Sequence, residues 1–97
     1  MPTYITLANY TEQGIRQIKD APKRVDAAKE VLKSVGGDMK AFYLTLGAYD
    51  LVAIVEAPDD EAAARALLAL GAKGNVRTVT MRAFAEAEFR KIVGALP

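Results

Sequence analysis

Between Pro2 and Tyr10 the chain reads "PTYITLANY", with aromatic, β-branched and aliphatic side chains in alternation. A period of two sends successive side chains to opposite faces, so this stretch predicts a strand. Thr11 then caps a short helical turn weakened by Gly14. Asp20-Ala21-Pro22 is a stronger helix start, an acid cap followed by a first-turn proline. Val25, Ala28, Val31, Leu32 and Val35 fall on one helical face, with Lys23, Asp26, Lys29, Glu30 and Lys33 toward the other. Gly36-Gly37 ends that helix, because glycine accepts the left-handed conformation there.

Asp38 to Leu46 ("DMKAFYLTL") and Tyr49 to Ala57 ("YDLVAIVEA") predict two more strands, joined by Gly47-Ala48 as a two-residue hairpin turn. Pro58-Asp59-Asp60-Glu61 opens a second long helix. Its acids satisfy free amides and complement the helix dipole, which accounts for the acid run without a metal. That helix stops near Gly71 to Gly74, "NVRTVTMRAF" predicts a fourth strand, and Phe89, Ile92, Val93 and Leu96 stripe a terminal amphipathic helix. The order is strand, helix, strand, strand, helix, strand, with a helix added. It predicts a ferredoxin-like α+β fold, with both main helices on one face of an antiparallel sheet and the other face bare.

The two-residue turn pairs Leu44 with Leu51 and Tyr43 with Val52. Phe42, Leu44, Leu46, Leu51, Ala53 and Val55 then share the face under the helices, where Ile5, Leu7, Val79 and Met81 are expected to join them. The bare face is expected to collect Tyr4, Thr6, Ala8, Tyr43, Thr45, Asp50, Val52, Ile54, Thr78, Thr80 and Arg82. Asp50 and Arg82 are expected to approach each other on it. Val52 and Ile54 leave an apolar patch that a soluble monomer seldom exposes, so the bare face is expected to meet a second copy of the chain. Two sheets packed that way form a dimeric α+β barrel.

Composition narrows the chemistry. With 97 residues the chain is expected to be a single domain, residues 1–97. It has no cysteine and no histidine, which removes thiolate chemistry, the commonest general base and the usual zinc ligands. No cofactor and no metal site is implied. A net charge of +1 gives no electrostatic reason to bind nucleic acid or an anionic membrane. The lack of a spanning or leader-like segment predicts a cytoplasmic protein.

With the strand order and the Gly-x-Tyr-Asp turn in place, the chain resembles the GYD domain family. The resemblance rests on Leu44 to Phe84, "LTLGAYDLVAIVEAPDDEAAARALLALGAKGNVRTVTMRAF", with Gly47, Tyr49 and Asp50 as the signature, and extends over the opening strand and helix. It implies a small bacterial or archaeal protein of dimeric α+β-barrel type. It carries over no catalytic residues.

Three functional readings follow. In the first, Gly47 shapes the turn, Tyr49 buries its ring with a wet hydroxyl, and Asp50 bonds backbone amides or Arg82. The protein then binds a small molecule, or regulates or assembles something, through its sheet face, with Tyr4, Thr6, Tyr43, Asp50 and Arg82 as candidate ligand contacts. The second is a cofactor-free monooxygenase- or isomerase-like enzyme. Asp50 would be its general base, Tyr4 or Tyr43 would bind a polar group, and Arg82 would hold an anionic oxygen; Tyr49 is a further candidate. The third, RNA recognition on the sheet, needs exposed aromatics in a basic setting that "NVRTVTMRAF" does not supply.

Overall fold

The computed structural model describes residues Met1–Pro97. In chain order the elements are β1 (Thr3–Tyr10), α1 (Glu12–Arg16), a single 3-10 turn (Ile18–Asp20), α2 (Ala21–Ser34), β2 (Asp38–Leu44), β3 (Leu51–Glu56), α3 (Asp60–Ala72), β4 (Val76–Ala83) and α4 (Glu86–Gly94). The strands lie in the order β2-β3-β1-β4, and every neighbouring pair is antiparallel. This is the ferredoxin-like α+β arrangement, with α2 and α3 over one face.

Local chemistry explains the helix starts. The Asp59 side chain accepts a hydrogen bond from the Ala62 N–H at 2.8 Å and so caps α3. Thr11 caps α1 through the Gly14 N–H at 3.1 Å. Asp20 precedes α2 but makes no side-chain cap bond; the proline in the first turn marks that start instead. Gly14 has a second task. A Cβ there would stand 2.0 Å from the Asn75 carbonyl oxygen, which accepts the Thr11 N–H at 3.0 Å. The close approach of α1 to the chain before β4 therefore requires glycine.

The core between helices and sheet holds Tyr4, Leu32, Ala53, Val55, Ala57, Ala62, Ala63 and Ala66. Most of these are alanine, so the layers touch through small side chains that bury little area.

Three expectations are corrected. The hairpin link is a longer loop, Thr45 to Asp50, because the strands end at Leu44 and Leu51. The Thr45 N–H donates to the Asp50 carbonyl at 2.8 Å, and the Thr45 hydroxyl to the Tyr49 carbonyl at 2.6 Å. The register beside the loop is nevertheless Leu44 opposite Leu51 and Tyr43 opposite Val52, as expected, and a bulge at Lys40 shifts it farther down.

The second correction concerns faces. Tyr4 lies opposite Val55, Thr6 opposite Ala53 and Ala8 opposite Leu51, and directly opposed residues share a face. On the other side of β1, Tyr4 meets Arg82, Thr6 meets Thr80 and Ala8 meets Thr78. Tyr4, Thr6, Ala8, Thr78, Thr80 and Arg82 therefore face the helices, while Ile5, Leu7, Val79 and Met81 lie on the outer face. The polar members tolerate this side because they find partners. The Thr6 and Thr80 hydroxyls bond each other at 2.9 Å, and the Tyr4 hydroxyl donates to Asp60.

The third is the Asp50–Arg82 approach. Asp50 sits beside the Tyr10 end of β1, whereas Arg82 pairs with Tyr4, so they stand roughly 20 Å apart at about 3.3 Å per strand residue.

α4 projects. It has no buried residue, and Phe89, Ile92, Val93 and Leu96 are all exposed. The radius of gyration, 14.6 Å, exceeds the roughly 13 Å of a compact 100-residue domain.

Candidate functional site

The signature residues converge on one end of the sheet. Gly47 forms the apex of the loop with φ 151°, and no atom stands where its Cβ would be. Tyr49 lends its carbonyl to the Thr45 hydroxyl. Asp50 is the anchor. Its N–H donates to the Ala8 carbonyl at 3.0 Å and lies 3.1 Å from the Asn9 Oδ1, and its own Oδ2 accepts the Tyr10 N–H at 3.0 Å. The carboxylate thus carries the β1–β3 ladder beyond its last regular pair.

Tyr4 and Arg82 stand at the opposite end, with Thr6 near the middle of β1. The Tyr4 hydroxyl donates to the Asp60 carboxylate at 2.5 Å, and the Arg82 guanidinium lies 5.9 Å from its ring centre. Burial, then the hydrogen bond to Asp60 and that group's charge, push the Tyr4 hydroxyl up to about 12, against a lowering pull from Arg82. Tyr4 is therefore a neutral hydrogen-bond donor at any physiological pH. Arg82 also reaches the carbonyls of Thr3 and Ala83 and lies 3.8 Å from Glu88, and its guanidinium stacks on Phe84 at 4.4 Å. At the far end of β3, Lys40 is held charged by its bond to Asp38 and by Glu56, which raise its pKa.

The structure thus divides the expected contacts. Tyr4, Thr6 and Arg82 belong to the helix side, Tyr43 to the outer face and Asp50 to the loop end. The acid run is engaged locally: Asp59 caps α3, Asp60 takes the Tyr4 hydroxyl, and Glu61 pairs with Arg65 at 3.5 Å. No group of three or more acids is placed to hold a metal ion.

The outer face of the sheet is apolar and unpartnered. Ile5, Leu7, Val52, Ile54, Val79 and Met81 fill its centre, with Tyr43 beside Val52. Val79 is 51% exposed and Met81 46%. No helix covers them. Val52 and Ile54 are the sequence signal for this face; Ile5 and Leu7, which alternation alone places on either side, join them there instead of lying under the helices.

Beneath α2 lies a second feature, a cavity of about 110 Å³ between helix and sheet. Thr6, Ala8, Leu51 and Ala53 floor it, Ala21, Arg24, Val25 and Ala28 roof it, and Met39, Phe42, Leu70 and Val76 are among its flanks. The space is a cleft rather than a sealed void: its floor of Thr6, Ala8, Leu51 and Ala53 is buried, while Phe42 at its flank is exposed. Alanine faces alanine across the layers, and the volume belongs to several elements at once.

The model of the GYD domain matches residues 4–93. The chain belongs to the GYD domain family. A relative in Thermus thermophilus, the "Glutamine synthetase and cystathionine beta-lyase binding protein", is 37% identical over 89 residues, covering 91% of this GYD chain and 94% of the relative. Among solved structures, TTHA0845, also from Thermus thermophilus, is 26% identical with a TM-score of 0.56, covering 88% of this chain and 95% of its own. MtbAldR shares the fold with a TM-score of 0.68 at 15% identity. There the match covers 88% of the GYD chain and 52% of MtbAldR, so this chain spans about half of that protein.

Proposed function

We propose that this GYD protein is a regulatory binding protein that acts in the cytoplasm as a homo-oligomer, most simply a homodimer, and attaches to a partner enzyme. The observation that carries this reading is the uncovered apolar outer face of Ile5, Leu7, Val52, Ile54, Val79 and Met81. Apolar side chains in the middle of a sheet are stabilised by meeting a second apolar face, at about 10 Å between sheets. Two copies stacked this way close an α+β barrel. The relative named for binding glutamine synthetase and cystathionine beta-lyase, 37% identical along nearly all of both chains, supports protein partners of that kind. A general base at Asp50 has less support, since its carboxylate is spent on the Tyr10 N–H and Arg82 lies at the sheet's other end.

Native mass spectrometry and surface plasmon resonance test the two halves. A mass of twice 10.4 kDa is expected, together with saturable binding to immobilised glutamine synthetase or cystathionine beta-lyase. A clean monomer at micromolar concentration would sink the shared-sheet reading, and no binding to either enzyme would sink the partner assignment.

A further inference from the structure

The geometry points to a ligand site on the opposite side of the sheet from the docking face: the cavity under α2 takes a small uncharged apolar molecule, benzene-sized or a branched aliphatic of similar bulk. Eleven of its fourteen lining residues are hydrophobic. Of the other three, Thr6 gives its hydroxyl to Thr80 at 2.9 Å. Arg24 is held by two backbone carbonyls, that of Gln17 at 2.9 Å and that of Gly14 at 3.0 Å. Thr78 and the phenol of Tyr10 supply the other hydroxyls of the wall, enough to orient a weakly polar group. Water on the floor of this cleft finds few hydrogen-bond partners, because the lining is mostly hydrocarbon. The volume, about 110 Å³, is comparable with the ~150 Å³ of an enclosed apolar cavity that binds benzene, and here the cleft also opens to solvent, which gives a ligand a way in. Met39 is an unbranched, adaptable side chain, so the wall can yield the difference.

Four wall positions, Ala8, Ala21, Ala28 and Ala53, hold alanine, where a larger aliphatic would take up space. The chain therefore lines an open cleft with small side chains instead of filling it. Successive strand residues point to opposite faces, so Ala53 lines the cavity while Val52 and Ile54 face outward. Ligand binding and self-association are separable on that ground.

The test is a titration of the full ¹⁵N-labelled chain with benzene, followed by amide chemical shifts, with benzoate as the charged comparison. Saturable shifts are expected at Ala8, Ala28, Ala53 and Leu70, with benzoate weaker than benzene. Ala28→Leu should lower benzene affinity at least tenfold, and Ala53→Val serves the same purpose should the first variant fail to fold. Ile54→Lys, aimed at the outer face, should leave benzene binding intact whether or not it changes the mass of the assembly. No saturation up to the solubility limit would overturn the proposal. So would shifts confined to Ile5, Leu7 and Val52, unchanged affinity in the filled variants, or loss of binding in Ile54→Lys. Tighter binding of benzoate would overturn the uncharged class.

Discussion

At Asp50 a single residue offers its N–H, its carbonyl and its carboxylate to three partners, Ala8 and Tyr10 at the end of β1 and Thr45 just past β2. Removing the carboxylate strands the part-buried Tyr10 N–H, which costs about 1–3 kcal/mol. Asp50→Ala should therefore lower the stability measured by urea unfolding by that much, and Asp50→Asn, which keeps an acceptor, by distinctly less; equal losses would contradict the hydrogen-bond account. Gly14→Ala pushes a methyl group into the Asn75 carbonyl, and at ~1–3 kcal/mol for such overpacking it should be as damaging as losing the Asp50 carboxylate. Tyr4 makes a prediction about pH. Its hydroxyl pKa rises on folding from 10.0 to about 12, so folding favours the protonated form. That contribution is complete below about pH 10 and is lost as pH climbs toward 12. Stability measured across this window should fall with a slope that Tyr4→Phe flattens.

Helices and strands were legible wherever a period changed: two in β1, near 3.6 in α2, two again in β3. The faces of β1 were not. Tyr4-Ile5-Thr6-Leu7-Ala8 offers two alternating sets, and placing the aliphatics under the helices assumes that the other side meets water. Here neither side of the sheet is built for water, so the larger aliphatics lie outward while the threonines find hydroxyl partners inside. The cavity was illegible for a different reason. Space between α2 and the sheet depends on how far a helix stands off, and no local pattern encodes that. Element logic also bears on α4. Isolated helices under ~12–15 residues are marginal in water, and α4 has nine residues with its apolar stripe uncovered. Its helicity should therefore depend on whatever covers it. Far-ultraviolet circular dichroism should show helix content falling as the protein is diluted through its dissociation range, and a signal independent of concentration would separate α4 from assembly.

For the whole molecule, dimensions of 51 × 30 × 17 Å describe a slab with one helix-covered side, one apolar side and a protruding arm. Pairing two slabs through their apolar sides would hide the surface that water most disfavours. Ile54→Lys places a charge at the middle of that surface and should shift the assembly to monomer by light scattering while circular dichroism stays that of a folded chain. A dimer that survives this change would have to be built on another surface. The alternation along each strand has a longer reach. In β1, Tyr4, Thr6 and Ala8 answer to the chain's own helices, and Ile5 and Leu7 to whatever lies outside. Under mutation, then, this sheet has two alphabets interleaved in one string. Substitutions at the outward letters can rewrite the company the protein keeps over generations, while the inward letters go on spelling the same fold.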